Sequence, residues 1–92
     1  MNEQNELLQK KVLGTIQAIE KMSAEERSKS PSGRFGADYN KLLLAVAGTR
    51  PELKDLLPPM VEVFQSMVMG ELTHQSFSEI LTYYSQIYQL LS

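Results

Sequence analysis

An all-α fold, a compact helical bundle, is what this sequence predicts, and three observations predict it. Apolar residues recur at spacings of three and four through most of the chain. Serine or threonine stands ahead of several of those runs with glutamate three residues later, which is capping-box chemistry. No stretch alternates apolar and polar residues for a useful length, so no strand is expected. Ninety-two residues make one small domain, 1–92, with a thin core.

The first helix, about 3–22, carries Leu8, Val12, Ile16, Ile19 and Met22 on one face, broadened by Leu7 and Leu13. Gly14 sits in its middle at a cost of about 1 kcal/mol relative to Ala, which predicts a second helix packed closely there. Ser23 and Glu26 form a capping box for a short helix near 24–28. Pro31, Gly33 and Gly36 then oppose regular helix and predict a flexible loop at 29–37.

Asp38 suits the start of the next helix, about 38–47. Leu42, Leu43, Val46 and Ala47 share one side, and Leu44 with Ala45 make the helix apolar nearly all round, so it is expected to be central and buried. Gly48 is placed as its C′ residue. Thr49, Pro51 and Glu52 cap a short helix near 50–57, which Pro58 and Pro59 end. The stretch 59–69 carries Met60, Val61, Val63, Phe64, Met67 and Val68 and is read as a fourth main helix closed by Gly70. A third box, Ser76 and Glu79, opens the last helix, 77–91, where Phe77, Ile80, Tyr84, Ile87 and Leu91 follow a heptad seam.

Composition excludes several functions. The chain has no cysteine, so disulfides, thiolate metal sites and a cysteine nucleophile are out. One histidine, His74, with no carboxylate placed behind it, does not make a triad; it is read as an exposed turn residue. No metal, no cofactor and no enzymatic activity are expected. The polar start lacks the apolar stretch of a secretory signal, and no run approaches the roughly 20 residues of a membrane span. A cytoplasmic location is the default. Net charge is −2. Residues 1–34 hold six Lys or Arg and five Asp or Glu, residues 35–92 three and six, and no Lys or Arg follows Lys54. Nucleic acid is therefore the least favoured partner. The Gly33-to-Gly36 pattern is too short to mark an RNA clamp, and a reading helix after Gly48 would offer only Arg50 and Lys54.

Two candidate surfaces remain. Tyr83, Tyr84, Ile87, Tyr88 and Leu91 on the last helix form the expected partner-binding face, since tyrosine suits interfaces, although the same stripe would serve equally as core. Arg34, Phe35, Asp38 and Tyr39 form a second, loop-borne contact, or an anion site at a helix start. Met60, Met67 and Met69 suit an adaptable binding surface, but their helical spacing assigns them to the core. The expectation is a non-enzymatic protein–protein interaction module, a small regulator, adaptor or assembly subunit, with a protein partner or a second copy (a homodimer) docking on apolar helix faces.

Overall fold

The computed structural model describes residues 3–92; Met1 and Asn2, part of the polar start, lie outside them. The chain is mostly helical, as expected, with one small two-stranded sheet added. Helix α1 spans Glu3–Glu20 and buries Val12, Ile16 and Ile19. It stops two residues early, where Met22 N–H donates to the Ile19 carbonyl at 3.0 Å, a tightened last turn. Gly14 is exposed and nothing lies within 4 Å of where its Cβ would be, so the expected close helix contact is absent. Helix α2, Ala24–Arg27, carries the Ser23 capping box in both directions.

Helix α3 spans Gly33–Thr49, so it begins inside the expected flexible loop. Ser32 is its cap, accepting from Phe35 N–H at 3.3 Å. Asp38 is an exposed residue of the second turn and not a cap. Residues 29–32 are tied down by backbone bonds: Thr73 N–H donates to the Pro31 carbonyl and Phe77 N–H to the Lys29 carbonyl, both at 2.9 Å. The reason Gly33 and Gly36 tolerate helix here is contact. A Cβ on Gly33 would stand 2.8 Å from the Glu71 Cβ, and one on Gly36 2.5 Å from the Thr73 Cγ2. The two glycines are the flat face on which the sheet rests.

After α3 the short helix is a 3-10 helix, Pro51–Leu56, and Arg50, its N-cap, makes no side-chain capping bond. Thr49 ends α3 and Gly48 lies inside it, exposed. The expected helix 59–69 is not formed. In its place strand β1, Val63–Ser66, pairs antiparallel with strand β2, Gly70–Thr73, in the register Val63 to Thr73 and Ser66 to Gly70. Three features outweigh the helical spacing. Val61, Val63 and Val68 are β-branched and Phe64 is aromatic, types that favour strands. The Ser66 hydroxyl accepts from Val68 N–H at 3.3 Å and Met69 N–H at 3.2 Å. Gly70 takes φ +75°, the left-handed residue that closes a three-residue hairpin loop.

Helix α4, Phe77–Leu91, matches the expected residues and its Ser76–Glu79 box is present. Its main partner is α1. The core joins Val12 and Ile16 of α1, Tyr39, Leu42, Leu43 and Val46 of α3, and Ile80, Tyr84, Ile87 and Leu91 of α4. The ends are locked by polar contacts: Asn5 Nδ2 donates to the Leu91 carbonyl at 3.1 Å and Arg50 Nη1 to Asn5 Oδ1 at 2.8 Å. The expectation that α3 is buried all round fails at Leu44, which is 62% exposed. No described helix is long and apolar enough to cross a membrane.

Candidate interaction surface

The hairpin of β1 and β2 is the part of the molecule whose side chains are least accounted for by the core. Met67 is 102% exposed, Val68 91% and Met69 72%. Phe64, Val63 and Met60 are exposed as well. The methionines assigned to the core by their spacing are thus at the surface. The sequence did carry the signal for this: a β-branched and aromatic run followed by Met-Val-Met-Gly.

The backbone explains how the tip is held out. His74 N–H donates to the Glu62 carbonyl at 2.8 Å, so residues 62, 64 and 66 aim their backbone groups at β2 in the alternating antiparallel pattern. Val63 and Gln65 aim theirs away, at the open edge. Val61 also faces that edge, but Asn40 occupies it: Asn40 Nδ2 donates to the Val61 carbonyl at 3.0 Å and Val61 N–H donates to Asn40 Oδ1 at 2.9 Å. Asn40 therefore acts as a one-residue surrogate strand. On the other edge β2 is covered, because Ser32 bridges Leu72. Val61, Val63 and Thr73 turn toward the glycines of α3, while Phe64 lies on the opposite face, its ring 5.0 Å from that of His74. His74 is exposed, next to β2.

The charges on the hairpin are Glu62 and Glu71, both exposed, and no Lys or Arg follows Lys54. Glu62 lies opposite His74, at the end of the hairpin away from the tip, and Glu71 stands against Gly33 of α3.

The two surfaces expected from the sequence are distributed differently. Tyr84, Ile87 and Leu91 are buried inside the chain against α1 and α3, so a partner reaches them only by opening the core. Tyr83 is half-buried, its ring 5.9 Å from Tyr39. Tyr88 is half-buried and lines, with Glu6, Gln9, Lys10 and Leu13, a groove of about 400 Å3 between α1 and α4. The second set splits along α3. Arg34 and Asp38 are exposed, Phe35 packs edge-on to Phe77 at 5.3 Å, and Tyr39 is fully buried with its hydroxyl donating to the Pro59 carbonyl at 2.9 Å. Burial, and then the neighbouring Tyr83 and Tyr84, push the Tyr39 phenol well above its ordinary value. Burial first and Asp38 second push Tyr84 up to about 12. These are properties of packed phenols. The Gly33 and Gly36 faces are covered by β2, which leaves no open glycine cradle for an anion.

Arg50, one of the two basic residues considered for DNA reading, donates through Nε to Glu52 Oε2 at 2.5 Å and through Nη1 to Asn5. The guanidinium hydrogen bond holds the Glu52 carboxyl below its usual range. Among the described residues no three His, Asp or Glu side chains gather as a metal site. Compared with known proteins, the chain matches no family model, no curated protein and no solved structure.

Proposed function

We propose that this chain is a non-enzymatic protein–protein interaction module, a small regulator, adaptor or assembly subunit, that docks through its hairpin. The observation that carries the reading is the tip: three consecutive large apolar residues, Met67, Val68 and Met69, stand almost wholly in water. Exposed apolar side chains are ordinary singly, but a contiguous group is costly in solution and marks contact surfaces. Methionine adds adaptability, since its unbranched thioether fills irregular partner surfaces. The hairpin that presents the tip is fixed by Asn40, by the Pro31–Thr73 bond and by glycine contacts, so little ordering entropy is left to lose on docking.

The test places a photo-activatable amino acid at position 68 of the full chain, and a control at Glu20, exposed at the end of α1. On irradiation in cell extract, position 68 is expected to capture a polypeptide, another protein or a second copy, that position 20 does not. No capture at 68, or the same products at both positions, overturns the reading.

A further inference from the structure

Resting on that reading, we infer that the hairpin's partner is a second copy of this chain, joined by antiparallel pairing of β1 with β1 about a two-fold axis at Phe64. The open edge of β1 is short and has definite ends. Asn40 already satisfies the backbone of Val61, and the turn begins after Ser66. Only Val63 and Gln65 present free-facing N–H and C=O groups. A symmetric pairing that uses all of them has one register. Val63 of one copy faces Gln65 of the second copy, Gln65 faces Val63, and Phe64 faces Phe64. Shifting by one pair would set Val61, already bonded to Asn40, or Met67, already in the turn, against a strand residue.

The charges and the protection of the edge agree with this. Natural edge strands are blunted by shortness, charge, proline or a bulge; β1 is short, but residues 61–66 contain neither lysine nor proline. Glu62 is the one charged residue of the stretch, and this register puts it opposite Ser66 of the second copy, so no acid meets an acid. In the centre, two aromatic rings meet as a non-hydrogen-bonded pair, the closer of the two pair types.

Area decides what else must touch. A stable interface takes about 800 Å2 from each partner, roughly an eighth of the 5994 Å2 of this chain. Two strand residues do not supply that. Antiparallel pairing carries the tip of the second copy toward the Val61 and Met60 end of β1. Met60 lines, with Leu44, Ala47 and Leu57, an apolar depression of about 200 Å3. Each exposed tip then covers the other copy's exposed Leu44 and Met60, and one closed dimer buries both apolar surfaces. Closure also distinguishes this arrangement from an open edge that would recruit copies without limit.

Light scattering over a wide concentration range should give twice the 10.4 kDa of the chain. Gln65→Pro removes an N–H that β2 does not use and should return the monomer mass, while Gln65→Thr keeps the dimer. Because the chain has no cysteine, Phe64→Cys offers a second test that leaves the backbone alone. Facing Cα atoms about 4.5 Å apart fall within the roughly 4.4–6.8 Å that a disulfide spans. Phe64→Cys should therefore oxidise to a linked dimer in a glutathione buffer faster than Val68→Cys, although position 68 is more exposed. Glu62→Cys and Ser66→Cys should oxidise to each other in a mixture and not to themselves. A wild-type monomer at every concentration, or faster linkage at 68 than at 64, overturns the inference. A monomer whose position 68 still captures a different protein overturns the second copy and leaves the docking reading standing. A monomer that captures nothing removes both.

Discussion

Helix α4 and the stretch 60–70 are equally rich in large apolar side chains, yet α4 buries Ile80, Tyr84, Ile87 and Leu91 while the other stretch buries Val61 alone. Both show the spacing of an amphipathic helix. The difference lies in what stands opposite. α4 has α1 along one side and α3 across its start, so its stripe finds walls. The hairpin has one wall, the glycine face of α3, and that wall meets Val61, Val63 and Thr73 rather than the tip. The helical body is thus held by buried side chains. The hairpin is held largely by backbone and side-chain polar bonds, at Asn40, Pro31 and Glu62. A segment anchored through its backbone can leave its apolar side chains free for a partner. The molecule is also elongated, 45 × 24 × 18 Å, and an elongated body of this size has few positions that are covered on all sides.

The comparison breaks most easily at single side chains. Ile87, fully buried, should cost about 2–5 kcal/mol when cut to alanine, because the lost transfer energy is joined by a cavity. Met67→Ala should stay within about 0.5 kcal/mol for the monomer. Urea unfolding at low protein concentration separates the two. A large cost for Met67→Ala would show that the tip packs within its own chain, and the contrast between the regions would fail.

Glycine gives a smaller and more pointed contrast. Gly36 and Gly48 lie in the same helix, a hairpin-facing position and an exposed one. A Cβ at 36 would meet Thr73 and Val61, so Gly36→Ala should destabilise by about 1–3 kcal/mol through overpacking. At 48 nothing is within 4 Å, so Gly48→Ala should stabilise by about 0.4–1 kcal/mol by restricting the unfolded chain. Thermal melts of the two variants should move in opposite directions. Movement in the same direction would mean that the sheet yields, and that α3 does not set its position.

Which parts were legible in the sequence follows the same physics. Capping boxes at Ser23 and Ser76 were readable because their partners are three residues away. The seam of α4 was readable because its walls exist. Asp38 and Thr49 were misread as caps, since a cap depends on where the chain turns, and Ser32 had already turned it. Gly33 and Gly36 look like breakers until the strand 35 to 40 residues later is known to lie on them. The stretch 59–69 failed for the opposite reason: helical spacing presumes a wall along a whole face, and within the chain the wall meets only Val61 and Val63 of this stretch. Of the expected partner face, Tyr84, Ile87 and Leu91 are core here, as the alternative reading of that stripe allowed.

A further contrast concerns Tyr39, which with Asn40 ties α3 to the segment leading into β1. Its hydroxyl donates to the Pro59 carbonyl, and Tyr39→Phe should cost about 1 kcal/mol at neutral pH, the worth of an ordinary hydrogen bond. The alkaline side gives the sharper reading. An unfolded tyrosine loses its proton near pH 10, whereas burial raises Tyr39 well above that and Tyr84 to about 12. The folded state therefore keeps protons that the unfolded state releases. The stability these phenols confer is complete below about pH 10 and is lost as pH rises through the raised folded values, by about 1.4 kcal/mol per pH unit for each phenol held. In Tyr39→Phe one of those phenols is gone. Urea midpoints measured from neutral pH up to about pH 12 should fall more steeply for the wild type than for the variant, and the two curves should converge as pH rises. Parallel curves would mean that Tyr39 titrates as freely as an exposed tyrosine, and the segment that carries the hairpin would then be looser than the body on which it stands.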